Sequence, residues 1–143
     1  MTSPSLRIRT ATDADIAAMH HIRLGVSENR LAETSQVDEE SYRSFIAAGG
    51  AWVAEMEAEV VGFAIVDAAS KNVWAVFVSV SAEGLGIGRA LHDRLVQWSR
   101  QQGLRKLWLS TSPGTRAEHF YRKLGWSEAG FTESGEIRFE RRI

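Results

Sequence analysis

Three alternate glycines, Gly84, Gly86 and Gly88, stand between a β-forming run over 73–80 and a segment of helical periodicity that starts at Ile87. Lacking a Cβ, such positions let the backbone curl and approach a ligand closely. Successive N–H groups then converge on an anion, which the positive end of the following helix also favours. Each such dipole contact contributes about 0.3–1 kcal/mol, so several must act together on a multiply charged group. A diphosphate meets that demand, and Arg89, one residue past the last glycine, is placed to reach a further phosphate.

Two common phosphate loops are excluded by residue type. A dinucleotide fingerprint needs glycine at 91 after Gly86 and Gly88, or at 89 after Gly84 and Gly86, and those places hold Leu91 and Arg89. A Walker A loop ends in Gly-Lys followed by Ser or Thr, whereas Gly88 precedes Arg89-Ala90. A generic nucleotide-binding module is disfavoured on both counts.

The elements that must carry this cradle follow from periodicity. Residues 6–9 alternate as a strand (β1). Thr12 and Asp15 form a capping-box pair before a helix (α1) whose Ile16, Met19, Ile22 and Val26 share a face. A polar stretch over 27–38 leads to a short helix (α2) through Tyr42, Phe45 and Ile46, ended by Gly49-Gly50. Runs over 51–55, 60–66 and 73–80 (β2, β3, β4) are joined by short polar turns and predict an antiparallel meander. After the glycines, Ile87, Leu91, Leu95 and Trp98 keep helical spacing (α3) up to Gly103, and 104–111 supplies a strand (β5) parallel to β4. Residues 115–124 form a last helix (α4) closed by Gly125, and 126–142 a terminal hairpin (β6, β7) turning near Ser134-Gly135.

At 143 residues and 15.9 kDa the chain reads as one domain over 1–143, large enough to bury a core without disulfides. A formal net charge of -1 gives no general attraction to nucleic acid or membrane, so any anion site is local. The absence of cysteine removes disulfides, thiolate metal sites and thiol nucleophiles. His20 and His21 point to different sides of α1, while His92 and His119 sit on separate helices, so no metal site is expected. No apolar run approaches the length of a membrane span and residues 1–10 lack a signal core, so the expected compartment is the cytoplasm. The five tryptophans read as core, with Trp74 the one near a possible acceptor.

Two segments carry a family resemblance. Glu83-Gly84-Leu85-Gly86-Ile87-Gly88 resembles the Gln/Arg-x-x-Gly-x-Gly/Ala hallmark of the GNAT superfamily of acyl-CoA-dependent N-acetyltransferases. The stretch from Thr115 through Phe120-Tyr121 to Gly125-Trp126 is similar to that family's helix bearing Phe-Tyr and ending in Gly-Phe. Order and separation also agree, and the resemblance covers essentially the whole chain. Two positions depart: Glu83 replaces Gln or Arg, and Gly114 or Thr115 stands where asparagine is often found.

The resemblance implies the GNAT fold, an α/β architecture with a mixed, twisted seven-strand sheet in the order β1-α1-α2-β2-β3-β4-α3-β5-α4-β6-β7. It implies that β4 and β5 splay apart and that acetyl-CoA, as co-substrate, lies between them. Cofactor contacts are then expected at Phe77, Val78, Val80, Glu83, Gly84, Leu85, Gly86, Ile87, Gly88, Arg89, Thr115, Phe120 and Tyr121. A free N–H near Val78 would polarise the thioester carbonyl, and Tyr121 would donate a proton to the departing thiolate. The acceptor is expected to be a primary amine of a small molecule or peptide, attacking directly in a ternary complex, with Glu28, Asn29 and Trp74 near it; Arg23 and Arg30 are weaker candidates. β4 itself offers no acid, which leaves Glu28, Glu33 or Asp67 as bases, directly or through water. A homodimer fits the fold. The alternative is a catalytically inactive acyl-CoA-binding sensor or scaffold of the same fold.

Overall fold

The computed structural model describes residues 5–25 and 39–143. In chain order they form β1 (Leu6–Thr10), α1 (Ile16–Gly25), α2 (Glu39–Ala47), β2 (Ala51–Met56), β3 (Glu59–Asp67), β4 (Asn72–Val78), α3 (Ile87–Gln101), β5 (Lys106–Thr111), α4 (Arg116–Lys123), β6 (Ser127–Phe131) and β7 (Ile137–Arg142). The strands make one open sheet in the order β1-β2-β3-β4-β5-β7-β6, antiparallel at every pairing but β4–β5, which is parallel. Among the described residues there are four α-helices, and none is long and apolar enough to cross a membrane.

Alternation along the central strands divides the core in two. Trp52 and Ala54 of β2, with Ala64 and Val66 of β3, join Ile87, Leu91 and Leu95 of α3 and Tyr121 of α4 in one cluster. Val53, Phe63 and Ile65 join Ile16, Met19 and Ile22 of α1 and Tyr42 of α2 in the other. Each fully buried Leu, Ile or Phe contributes about 1.5–3 kcal/mol, so the helices are held by their apolar faces. Gly62 lets α3 lie directly on β3: a Cβ there would stand 3.1 Å from Leu91 Cδ1 and 3.0 Å from the Phe77 carbonyl oxygen.

The β4–β5 seam is closed at one end only. Its single register pair is Asn72 with Trp108. The Trp108 N–H donates to the Lys71 carbonyl at 2.9 Å, Trp108 Nε1 donates to the Ser70 carbonyl at 2.9 Å, and Asn72 Nδ2 donates to the Trp108 carbonyl at 3.3 Å. Immediately beyond, Val66 faces Val73 and Ile65 faces Ala75, so Trp74 is an extra residue in β4. Such a bulge increases local twist and bends the strand, here away from β5. Residues 76–78 are consequently paired to β3 on one edge and to no strand on the other. The sequence predicts β4 as far as Val80; the strand ends at Val78 because Val80–Ala82 winds into a single 3₁₀ turn that leads to the glycines.

Candidate active site

The open end of the seam, the turn after β4, the first turn of α3 and the inner face of α4 enclose a cavity of about 680 Å³. Phe77, Val78, Val80, Glu83, Gly84, Gly86, Ile87, Gly88, Arg89, Phe120 and Tyr121 all line it, so most of the residues named from the sequence come together. Its far wall is α4, with Arg116 and Ala117, rather than β5.

Gly84 and Gly86 both adopt φ of +80, the left-handed region that penalises side chains, and a Cβ on either would meet nothing within 4 Å. Their requirement is therefore conformational. Gly88 differs: a Cβ there would stand 3.3 Å from Phe120 Cε1, so this glycine sets how closely α3 and α4 approach. Gly86 is the N-cap of α3 and supplies no side-chain acceptor. The first N–H groups of the helix have no intrahelical partners and gather at the cavity, where an anion would complete them. Leu85 is exposed and does not line the cavity.

The edge of β4 supplies further donors. Ser79 N–H donates across to the Val61 carbonyl at 2.7 Å, so in the antiparallel alternation the Val78 N–H points to the opposite edge, where β5 has diverged. Val78 itself lines the cavity at that edge.

Tyr121 owes its position to the end of α4. Gly125 at φ +90 closes the helix: Gly125 N–H donates to the Arg122 carbonyl at 3.2 Å and Trp126 N–H to the Tyr121 carbonyl at 3.1 Å. This paired closure brings the Trp126 ring within 5.6 Å of the Tyr121 ring, and Phe120 packs edge-on at 5.0 Å. The Tyr121 hydroxyl has no hydrogen-bond partner among the described residues, and burial pushes its pKa well above the ordinary 10.0. The phenol is thus held protonated beside the cavity.

Glu83 would repel a diphosphate if unpaired; instead it is ion-paired with Arg116, the first residue of α4. Arg116 gives no signal in the sequence because the pair joins the turn after β4 to the first turn of α4, segments distant in the chain. Thr115 lies off the cavity. Its hydroxyl donates to the Ser112 carbonyl at 2.8 Å and accepts the Glu118 N–H at 3.3 Å, while Glu118 Oε1 accepts the Gly114 N–H at 2.8 Å. The threonine is fully engaged as the N-cap of α4.

The acceptor side is different. The bulge places Trp74 and Ala75 in the same cluster on the α1–α2 face, and Trp74 packs against Phe45 at 4.9 Å and beneath the Arg23 guanidinium at 4.6 Å. It does not line the cavity. Asp67 holds the β3–β4 turn, accepting from Ala69 N–H at 3.1 Å and Ser70 Oγ at 2.8 Å. It faces Asn72 at the closed end of the seam, about 20 Å along β4 from Val78 at 3.3 Å per residue, which removes it as a direct base. Glu28, Asn29, Arg30 and Glu33 lie outside the described residues.

A seven-strand mixed sheet with a wedge between parallel strands, a glycine turn at its mouth and a buried tyrosine on the facing helix defines a class, and residues 16–126 match the acetyltransferase (GNAT) family. The chain belongs to that family. It is similar to serotonin N-acetyltransferase 2, chloroplastic, of Oryza sativa subsp. japonica, with 32% identity over 124 residues; the match covers 83% of this chain and 60% of that protein, so the chain spans less than two thirds of that relative. Among solved structures it is similar to ribosomal-protein-alanine N-acetyltransferase from Brucella melitensis, with 27% identity and a TM-score of 0.78 over 96% of this chain and 99% of that one. The PaiA N-acetyltransferase from Thermoplasma acidophilum in complex with coenzyme A shares the fold, at 14% identity and a TM-score of 0.73 over 97% and 99%.

Proposed function

We propose that this chain transfers acetyl from acetyl-CoA to a primary amine of a small molecule or peptide by direct attack in a ternary complex. The observation that carries the reading is the convergence on one cavity of three groups: the open first turn of α3, the free edge of β4 and the Tyr121 hydroxyl, which bonds to no described residue. The α3 amides and Arg89 suit the diphosphate, and the β4 edge suits the amide-bearing pantetheine arm. The Val78 N–H suits the thioester oxygen, where such a donor contributes roughly 2.7–4 kcal/mol as charge develops. The amine nitrogen attacks the carbonyl carbon and the carbon–sulfur bond breaks. The thiolate then takes the proton of Tyr121, the amine's proton leaves to solvent, and a proton from solvent restores the phenol.

Among the described residues that line the cavity, the one carboxylate is Glu83, and it is paired with Arg116. A lysine-type amine, pKa about 10.4, would have to reach its neutral form at a cost near 4.6 kcal/mol at pH 7; an α-amine near 8 needs only about 1.4 kcal/mol. We therefore favour an acceptor amine of low pKa, which needs no dedicated base. The name of the Brucella melitensis protein gives alanine of a ribosomal protein as its acceptor, which agrees with this preference. The test is thiol release from acetyl-CoA against a panel of amino acids, peptides, arylalkylamines, polyamines and aminoglycosides. Release with α-amines above the hydrolysis background supports the reading. Tight acetyl-CoA binding with no release from any amine replaces it with the sensor or scaffold alternative.

A further inference from the structure

Behind Tyr121 lies one buried titratable group that the proposed chemistry does not use. His92 of α3 is 1% exposed, and its ring stands edge-on to Phe120 at 6.2 Å and to Trp126 at 6.0 Å. The Trp126 indole Nε1–H donates to His92 Nε2 at 3.0 Å. Nε2 must therefore be the bare nitrogen, which places the ring hydrogen on Nδ1, where it is donated to Asp93 Oδ1 at 3.1 Å. With the contacts of Tyr121 to Phe120 and Trp126, four rings, the phenol among them, close a loop.

We infer that His92 is a positioning residue for Tyr121: its neutral ring pins the Trp126 indole that backs the phenol, and proton uptake at Nε2 releases that hold. The inference rests on the acetyl-transfer reading above. When a proton from solvent binds Nε2, two N–H donors face each other at 3.0 Å and the indole, a donor only, has nothing to offer in return. The bond must break and the indole must shift. The charged groups around His92 are Asp93 and Arg89 on its own helix and Arg141 on β7; Asp93 favours the cation, whereas both arginines and burial oppose it and hold the pKa below the ordinary 6.5. The hold is therefore complete at neutral pH and is lost only on the acid side. Folding stability follows the same sign. It is full above 6.5 and declines as pH falls from there toward the folded value, because the unfolded chain takes up the proton first.

The chain contains two tyrosines, so fluorotyrosine labelling gives two fluorine resonances, which Tyr42→Phe assigns. In the ligand-free protein the Tyr121 resonance is expected to shift with a midpoint below pH 6.5 that coincides with titration of His92. The kcat for thiol release should fall over the same range while the KM for acetyl-CoA changes by less than about threefold. His92→Gln, whose side-chain oxygen keeps an acceptor for the indole without titrating, should abolish both responses and retain neutral-pH turnover. His92→Leu should lower kcat by up to about a hundredfold. Should the His92 variants fail to fold, Trp126→Phe keeps a ring against Tyr121 while deleting the donor, and is expected to raise the His92 midpoint toward 6.5 and uncouple the Tyr121 resonance from it. A Tyr121 resonance indifferent to His92, or an acid limb unchanged in His92→Gln, overturns the inference. Coupled resonances in a protein that acetylates no amine would support the coupling and remove the acetyl-transfer reading instead.

Discussion

Helices α3 and α4 both begin at the cavity, and their first turns are built in opposite ways. At α4 the free N–H groups are satisfied from within: Thr115 caps Glu118, and the Glu118 carboxylate reaches back to Gly114. At α3 the cap is Gly86, with a left-handed backbone and no side chain to offer. A good N-cap contributes about 0.5–2 kcal/mol, so α3 forgoes stabilisation that α4 takes. The donors left open at α3 suit a charged ligand, whereas the closed turn at α4 fixes a rigid helix whose other end presents Tyr121. In the function proposed above, binding falls to one helix and proton transfer to the other.

The sharpest way to break that division is on α4. Tyr121→Phe removes one hydroxyl that bonds to no described residue, so the fold should stand. Loss of a general acid is expected to lower kcat by about 10²–10⁴, with acetyl-CoA affinity by calorimetry nearly unchanged. Full turnover in the phenylalanine variant would strip Tyr121 of its acid role. The next largest effect belongs to α3. Gly86→Ala forces a methyl-bearing residue to φ +80 at about 1–2 kcal/mol, though the methyl itself touches nothing. The turn should relax away from its ligand-ready shape, weakening acetyl-CoA binding roughly tenfold while kcat at saturation holds. An unaltered dissociation constant would show that the amides of this turn do not contact the cofactor.

Much of this division is readable from residue types, because local chemistry fixes it. Glycines at 84 and 86, a Thr-x-x-Glu pair at 115 and 118, and glycine at 125 each state a backbone conformation that the structure adopts. The order of strands and the parallel seam follow from periodicity and connection length. What escaped depends on contacts between distant segments. The bulge at Trp74 is a mismatch between two strands and leaves no mark in either alone, so it set Trp74 beside Ala75 on the α1–α2 face, where strict alternation would have put it with Val76 and Val78. Asp67 likewise looks available in the sequence, until its turn claims both carboxylate oxygens. Arg116 pairs with Glu83, and His92 with Trp126, only because α3 and α4 approach so closely at Gly88.

Thr115→Ala tests the capped side of the comparison with a smaller effect. It should cost about 1 kcal/mol, seen as a fall of a few degrees in Tm, and leave acetyl-CoA affinity unchanged. A loss of affinity without a loss of stability would mean that the hydroxyl serves the cofactor and not the helix.

The smallest effect is expected where the two helices meet electrostatically. Glu83 and Arg116 keep 32% and 74% of their side-chain surface exposed, and a pair so open to water contributes about 0–1 kcal/mol, so Glu83→Gln should scarcely move Tm. Its effect on binding has a definite sign. Replacing the carboxylate by an amide removes an anion from the cavity wall, which Arg116 also lines, so acetyl-CoA should bind a few-fold more tightly at low salt. Because these charges are screened over about 10 Å at 0.1 M ionic strength, the gain should shrink as salt is raised. Arg116→Gln should act in the opposite direction and with the same salt dependence. If Glu83→Gln instead weakens binding at every ionic strength, the carboxylate's service is geometric: it would be holding Arg116 in a ligand-ready position, and the charge-neutralising role assigned to the pair would be wrong.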